Sequence, residues 1–586
     1  MLFDQAARLG DRPFLWAKRD GRYRPLSWRQ AAAEVSRLSR GLKALGIGPG
    51  DRVALIAENR PEWLISDLAV MAAGAITVPA YTTNAPDDHL HILTNSGAKA
   101  AIVSGPRLAA PFLDAARRAP RLEFALAMEP PGFRQDIGIE IHPWAEVLAL
   151  GGDAPDDVAG MVATLKRTDS ACVIHTSGTG GTPKGVMLSH GAILSNCKGA
   201  LEAFADAIVE DEEVFLSFLP LSHSYEHTAG QFFPITIGAQ IYYAEGAEHL
   251  AANMVEVRPT IMTAVPRLYE LLYQRITLGV ERAAGVKEKL FLKTLELGKR
   301  KYQKPESLGW RERAVDAVLD RLVRRGLRAR FGGRLKFFVS GGAPLSYDIG
   351  LFFTALGVKI LQGYGQTEAA PVVSCNPPGR VKLHTVGPPF TGVEVRIAGD
   401  GEILVRGELV MQGYWGDDAA TAEAIRDGWL HTGDIGRIDE DGYLQITDRK
   451  KDIIVNSGGD NIAPQRIEGK LTLEPEISQA MVYGDRRPYL VALIVPDEEV
   501  MGRWAEAHGR PAELAALASD PAFQEAIAPA VERVNQGLSA IERVRRFMLA
   551  KEAFGTENGL LTPTLKIRRH KIKEIYGEAL EALYGD

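Results

Sequence analysis

Between residues 28 and 103 helix-like and strand-like segments alternate, and that alternation leaves few folds open to the chain. Apolar positions at helical spacing over 28–46 end at Gly46, Gly48, Pro49 and Gly50, ahead of a strand-like run Val53–Ile56. A helix over Glu62–Ala73, a strand over Ala75–Pro79, a helix around Asp87–Ser96 and a strand over Ala100–Val103 continue the order. Such repetition predicts an α/β protein with a mostly parallel sheet flanked by helices, because parallel neighbours need a crossover between them. With 586 residues the chain is too long for one core, so two or more domains are expected.

Composition narrows the function classes. A net charge of −6 gives no footprint for nucleic acid. Cys172, Cys197 and Cys375 are far apart and form no Cys-x-x-Cys pair, which argues against a disulfide framework and a zinc cluster and fits a reducing cytoplasm. Met1–Arg8 lacks a charged start followed by an apolar core, so no secretory signal is expected. The most apolar stretch, Leu68–Ala80, contains Gly74 and Pro79 and is too short to span a bilayer.

The stretch His175–Gly185 carries four glycines, four hydroxyl side chains and Lys184 between apolar runs Ala171–Ile174 and Val186–Leu188. Glycines let backbone N–H groups turn towards bound oxygens, hydroxyls add donors, and a lysine offers a point charge to polyphosphate. The word is not a P-loop: counted from Gly178, Pro183 stands where glycine is needed and Gly185 where a hydroxyl is needed. It also joins two strands, with Ser189 as N-cap of a helix over His190–Ala207, rather than leading from strand to helix. On composition alone a surface turn remains the competing reading.

Further segments suggest a site. Leu219-Pro-Leu-Ser-His-Ser-Tyr-Glu-His227 contains His-x-x-Glu-His, a zinc spacing only when it lies deep inside a helix; Pro220 beside the first histidine argues against that. Ser340-Gly-Gly-Ala-Pro-Leu345 and Leu361-Gln-Gly-Tyr-Gly-Gln-Thr-Glu368 follow strand-like runs Leu335–Val339 and Val358–Ile360, so both read as strand-end loops, where open parallel sheets bind ligands. Asp427-Gly-Trp-Leu-His-Thr-Gly-Asp434 and Asp448-Arg-Lys-Lys-Asp452 offer a turn carboxylate and a guanidinium suited to sugar hydroxyls or phosphate. Residues 270–330 read as helices; from Glu281 to Arg330, 15 Lys/Arg face 7 Asp/Glu, a local +8. That excess is either a surface for anionic lipid or coenzyme A phosphates, or a solvated face.

The word Thr176-Ser-Gly-Thr-Gly-Gly-Thr-Pro-Lys-Gly185 closely resembles the phosphate loop of the adenylate-forming superfamily. The run from Asp427, with Leu560-Leu-Thr-Pro-Thr-Leu-Lys566, is similar to long-chain fatty acyl-CoA synthetases, and the motifs stand in family order from about Leu26 to Lys573. The resemblance implies a large N-terminal domain (1–450) of mixed α/β sheets flanked by helices plus a small β-barrel-like part, and a small mobile α+β C-terminal domain (451–586). It implies ATP, Mg²⁺ and coenzyme A, with a fatty acid as the small-molecule substrate. Thr176, Ser177, Gly178, Thr179, Gly180, Thr182 and Lys184 would hold phosphates. Gly342, Ala343 and Pro344 would line the adenine pocket opposite Gln362, Gly363, Tyr364 and Gly365, with Tyr364 stacking on the base. Thr367 would reach the α-phosphate, Asp434 and Arg449 the ribose, and Glu368 with Thr176 the metal. His223 would lie near the reacting carboxylate and Lys566 would bridge it to the α-phosphate; Lys451 would be the hinge and Gly458 the thioester loop. Asp460 stands where many relatives carry a basic phosphate contact, so that role is not carried over. Transfer to a carrier protein and an aryl or medium-chain substrate share the ATP motifs and stay open, as does a catalytically inactive lipid-binding protein. Oligomeric state is not legible. Location is expected in the cytoplasm, with peripheral membrane contact through 270–330 as an extension.

Overall fold

The computed structural model describes residues 1–129, 138–152, 157–176, 182–283, 285–562 and 566–585 and, of Glu281, the backbone alone. The early alternation becomes one eight-stranded sheet, ordered Gly413–Tyr414, Lys184–Ser189, Ser170–Thr176, Ile76–Pro79, Arg52–Ile56, Ala100–Val103, Phe124–Ala127, Glu140–Pro143. Its strands from Ser170–Thr176 to Glu140–Pro143 are parallel. Val53–Ile56 and Ala100–Val103 are buried throughout, as expected where helices cover both faces. Helix Trp28–Ala44, which enters from the other sheet, and the crossover helices Pro61–Ala72 and Pro86–Ser96 start on readable signals. Ser27 and Gln30 exchange side-chain to backbone bonds in a capping box, worth about 1 kcal/mol, and Pro61 and Pro86 occupy first-turn positions.

A second eight-stranded sheet runs Val372–Cys375, Ile360–Gly365, Phe337–Ser340, Ile261–Ala264, Val214–Ser217, Gln240–Tyr243, Pro13–Arg19, Arg22–Ser27. It is parallel in the middle and antiparallel at both ends. The chain's first strands thus complete a sheet whose centre comes two hundred residues later, anchored by Phe14 stacked on Trp28 with centroids 3.6 Å apart. Leu361–Gly365 is not the strand-end loop expected from the sequence but lies within strand Ile360–Gly365, which pairs with Val372–Cys375. The cause is local: a Cβ on Gly365 would sit 1.7 Å from the Pro371 carbonyl oxygen, so glycine permits the antiparallel return. The small all-β part is a five-stranded antiparallel sheet containing Trp429–Ile438 and Leu444–Arg449.

From Ile454 onwards the chain forms a separate two-stranded pair and a three-stranded sheet with Leu490–Pro496, wholly buried, at its centre. Helices Pro464–Leu471, Pro521–Gln536 and Arg569–Ala582 cover that sheet around cores of their own. The two parts meet along helix Pro266–Ala283. Arg267 donates to the Ser478 carbonyl at 3.2 Å, Gln274 to that of Thr472 at 3.5 Å, and Arg282 pairs with Glu499. Among the described residues no helix is long and apolar enough to cross a membrane, and all three cysteines are buried and free.

Candidate active site

Strands Ser170–Thr176 and Lys184–Ser189 form an antiparallel hairpin in which Thr176 and Lys184 are cross-strand partners. Helix Pro86–Ser96 clamps both flanks. His91 bonds the Pro183 carbonyl at 2.8 Å, and His175 bonds Asn95 at 2.9 Å. Burial and the neighbouring His91 hold the His175 imidazole neutral, pressed down to about 3. Lys184 is exposed, its Nζ 4.9 Å from the Tyr414 ring centroid, and the Tyr414 hydroxyl donates to Glu368 at 2.9 Å. The hairpin's cation and a carboxylate from the turn Thr367–Ala369, between two strands of the second sheet, therefore flank one phenol.

Asp434 and Arg449 face each other across strands Trp429–Ile438 and Leu444–Arg449. Arg449 Nε donates to Asp434 Oδ1 at 3.0 Å and the Tyr364 hydroxyl to Oδ2 at 2.7 Å. Each carboxylate oxygen keeps a lone pair, so the group can accept two vicinal hydroxyls while its own orientation is fixed. Burial, followed by the Asp434 charge, drives the Tyr364 phenol well up, so it stays a donor. Thr367 shares a 2.9 Å hydrogen bond with Ser224, tying the turn after strand Ile360–Gly365 to the segment that carries His223.

A cavity of about 320 Å³ opens beside these groups. Lys566, His223, Gly342 and Ala343 line it together with the apolar Phe218, Leu250, Met254, Leu268, Leu271 and Leu272, and Glu248, Arg267 and Arg275 add charge to the wall. Lys566 reaches it from the far end of the chain. Burial and the like charge of Arg449 lower its ammonium to about 8, while Asp434 and Glu368 pull the other way. Docking of the free ammonium is thus penalised below about pH 8, and the penalty fades as pH rises from there towards its ordinary 10.5; a phosphate beside it supplies the missing counter-charge. His223 accepts the Tyr225 N–H on Nδ1 at 3.2 Å, and burial with Lys566 nearby presses it to about 3. Its free nitrogen is therefore a neutral N–H donor.

Residues 2–415 match the model of the AMP-binding enzyme family, and residues 451–586 that of the AMP-binding enzyme C-terminal domain. The long-chain-fatty-acid–CoA ligase FadD15 of Mycobacterium tuberculosis is 34% identical over 97% of this chain and 93% of its own length. Long chain acyl-CoA synthetase 7 of Arabidopsis thaliana, described as peroxisomal, is 33% identical over 97% of this chain and 82% of its own. The chain belongs to the AMP-binding enzymes of the long-chain acyl-CoA ligase kind. At the level of fold it is similar to the A domain of carboxylic acid reductase from Segniliparus rugosus, solved with AMP and a co-purified carboxylic acid. That comparison gives a TM-score of 0.78 at 22% identity over 100% of this chain and 93% of that one.

In this AMP-binding enzyme, the expected phosphate contacts Ser177, Gly178, Thr179 and Gly180 lie outside the described residues. Thr182 is exposed beside Lys184. Gly342 has φ +84°, a turn that a side chain disfavours, and hands the chain on to Ala343 and Pro344. Gln362 and Gly363 pair with the neighbouring strands Phe337–Ser340 and Val372–Cys375. Lys451 is exposed in the turn after Arg449. Gly458 sits in an exposed turn whose amide donates to Asn456, as does that of Asp460; it is not among the residues lining the cavity.

The two histidines of His-x-x-Glu-His do not converge. His223 faces the cavity, whereas His227, fully buried, bonds Asp67 at 2.9 Å. His227 lies within a π-helical turn over Glu226–Phe232. Glu226 accepts from Ser217 and Thr263, burial lifts its carboxyl to about 7, and its side chain fills the space a Gly230 Cβ would need. Gly230 and Phe232 are buried away from the cavity, while Tyr225 and Val265 line it. Tyr225, its hydroxyl on the Val339 carbonyl, also walls a void of about 30 Å³ behind it. Sequence reasoning missed Tyr414 and the Tyr364 to Asp434 bond. Gly413-Tyr414-Trp415 reads as a turn, and only its pairing with Lys184–Ser189 gives it a place.

The Glu368 carboxylate accepts the Tyr414 hydroxyl, and the residue is half-buried. One hard carboxylate on the phenol that also faces the Lys184 ammonium is the ligand type that fits Mg²⁺, which keeps waters and takes one or two carboxylates plus phosphate oxygens.

Proposed function

We propose that this chain joins long-chain fatty acids to coenzyme A through an acyl-adenylate, converting ATP to AMP and pyrophosphate. The observation that carries the reading is Lys566, lining a mostly apolar cavity together with His223 and within electrostatic reach of Asp434 and Glu368. In the first step a carboxylate oxygen attacks the α-phosphorus while the bond to the β-phosphate oxygen breaks. Lys566 offsets the charge gathering on both partners, and His223 N–H steadies the carboxylate. Lys184 and the hairpin loop hold the β- and γ-phosphates, and Asp434 with Arg449 the ribose. Glu368 and Thr176 would hold Mg²⁺, which would supply charge neutralisation on the phosphates. In the second step the thiolate of coenzyme A attacks the acyl carbon and AMP leaves; the C-terminal part turns about Lys451, withdraws Lys566 and brings in the Gly458 loop. We divide the chain accordingly at 450/451. Long-chain acids partition into bilayers at about 0.8 kcal/mol per methylene, so the reading places the enzyme in the cytoplasm with substrate taken up at a membrane surface.

The test is AMP release from MgATP across fatty acids of increasing length, with and without coenzyme A. Turnover that peaks at a long chain and requires coenzyme A supports the reading. A single burst of pyrophosphate without acyl-CoA would move the acceptor to a carrier protein, and absence of any adenylation would overturn the assignment.

A further inference from the structure

The helical run from Trp310 to Arg330, with a π-turn at Asp320–Arg324, divides its charges unequally between two faces. All three carboxylates are engaged within the protein: Glu312 with Arg300, Asp316 with Arg324 and Lys301, Asp320 with Arg328. Asp316, Leu319, Arg324 and Leu327 are buried against the fold. The opposite face carries Trp310 at 76% exposure, Val315 at 45%, Val318 at 56% and Leu322 at 64%. Exposed Arg311, Arg321 and Arg325 lie among them. Among the described residues Arg321 and Arg325 enter no ion pair, and Arg311 lies only over the Trp310 ring, 5.2 Å from its centroid.

Positions 311, 315, 318, 322 and 325 follow each other at helical spacing of four and three, so arginines and apolar side chains share one stripe. A solvated face mixes both signs and leaves few large apolar groups out; this one has a tryptophan, three aliphatic side chains and three arginines with no carboxylate. That combination suits an interface of acyl chains beneath anionic headgroups, where guanidiniums meet phosphate and apolar groups enter below it. The last turns, Arg325–Arg330, pack on helix Leu250–Val257, which contributes Leu250 and Met254 to the cavity. We propose that the Trp310–Arg325 face docks on an anionic phospholipid bilayer, one helix away from the acyl cavity. The docking draws its purpose from the proposed function but is independent of catalysis, needing neither ATP nor fatty acid.

The test is co-sedimentation of the full chain with phosphatidylcholine vesicles and with vesicles containing 30% phosphatidylglycerol, as a function of salt. Binding is expected only to the anionic vesicles and to weaken with salt. It should fall about a hundredfold in the triple variant R311Q/R321Q/R325Q, at roughly fivefold per arginine, and markedly in W310S/L322S. Near-unchanged adenylation of a short, water-soluble acid in both variants shows that they fold. Equal binding of variant and parent, or no preference for anionic lipid, overturns the proposal. So does a concentration-dependent dimer abolished by the same substitutions, which would assign the face to a second copy of the chain.

Discussion

The proposed nucleotide side and the proposed acyl side of the site meet at Lys566 but are built in different ways. On the nucleotide side the positions are set by backbone: a hairpin holding Thr176 against Lys184, a cross-strand register holding Asp434 against Arg449, and a strand bearing Tyr364. The acyl side is a wall of side chains on helices Leu250–Val257 and Pro266–Ala283. A register tolerates only certain letters, whereas an apolar wall needs only hydrophobic volume. One side therefore appears as words in the sequence and the other does not.

If the two sides are separable except at Lys566, the largest effect belongs to that residue. Lys566→Ala should lower acyl-adenylate formation by about a thousandfold while thioester formation from supplied acyl-adenylate stays within a few-fold; equal loss in both steps would break the comparison. Because its ammonium sits near 8, kcat/KM for adenylation should fall about tenfold per pH unit above that value as the charge is lost. His223, already neutral, should contribute no acid limb down to about pH 4. Asp434→Asn should raise the KM for ATP some ten- to a hundredfold, the worth of bonds to a charged acceptor, and leave the chain-length optimum in place. Leu272→Trp should do the reverse. It should cost about tenfold in kcat/KM for a long acid, roughly two methylenes of lost space, shift the optimum to shorter chains, and leave ATP affinity unaltered. Smallest is Tyr414→Phe, which keeps the ring beside Lys184 but frees Glu368; a two- to tenfold weaker MgATP KM is expected, read by initial rates at fixed acid.

The α/β alternation, the hairpin flanks and the Ser189 cap were legible, the cap because its hydroxyl accepts the Ala192 N–H at a position where only small polar residues can. The strand boundary at Ile360–Gly365 was not, because its extent is decided by a partner strand that follows. Tyr414 was invisible for the same reason, being placed by pairing with residues more than two hundred positions earlier. His-x-x-Glu-His misleads as a spacing, since its second histidine is buried on Asp67 while the first faces the cavity. The cavity wall could not be read, because Leu268, Leu271 and Leu272 look like any amphipathic helix until the neighbouring helix is known.

Gly365 is demanded by the protein's own backbone, with an added Cβ only 1.7 Å from the Pro371 carbonyl oxygen. Lys566, Lys184 and Glu368 are held by no such constraint. A descendant that lost chemistry but kept its shape would retain the glycines of the motif words and be free to discard the charges. The letters that best advertise the family in a sequence are therefore poor witnesses to a living enzyme, and the ones worth inspecting first are those whose loss the fold would not notice.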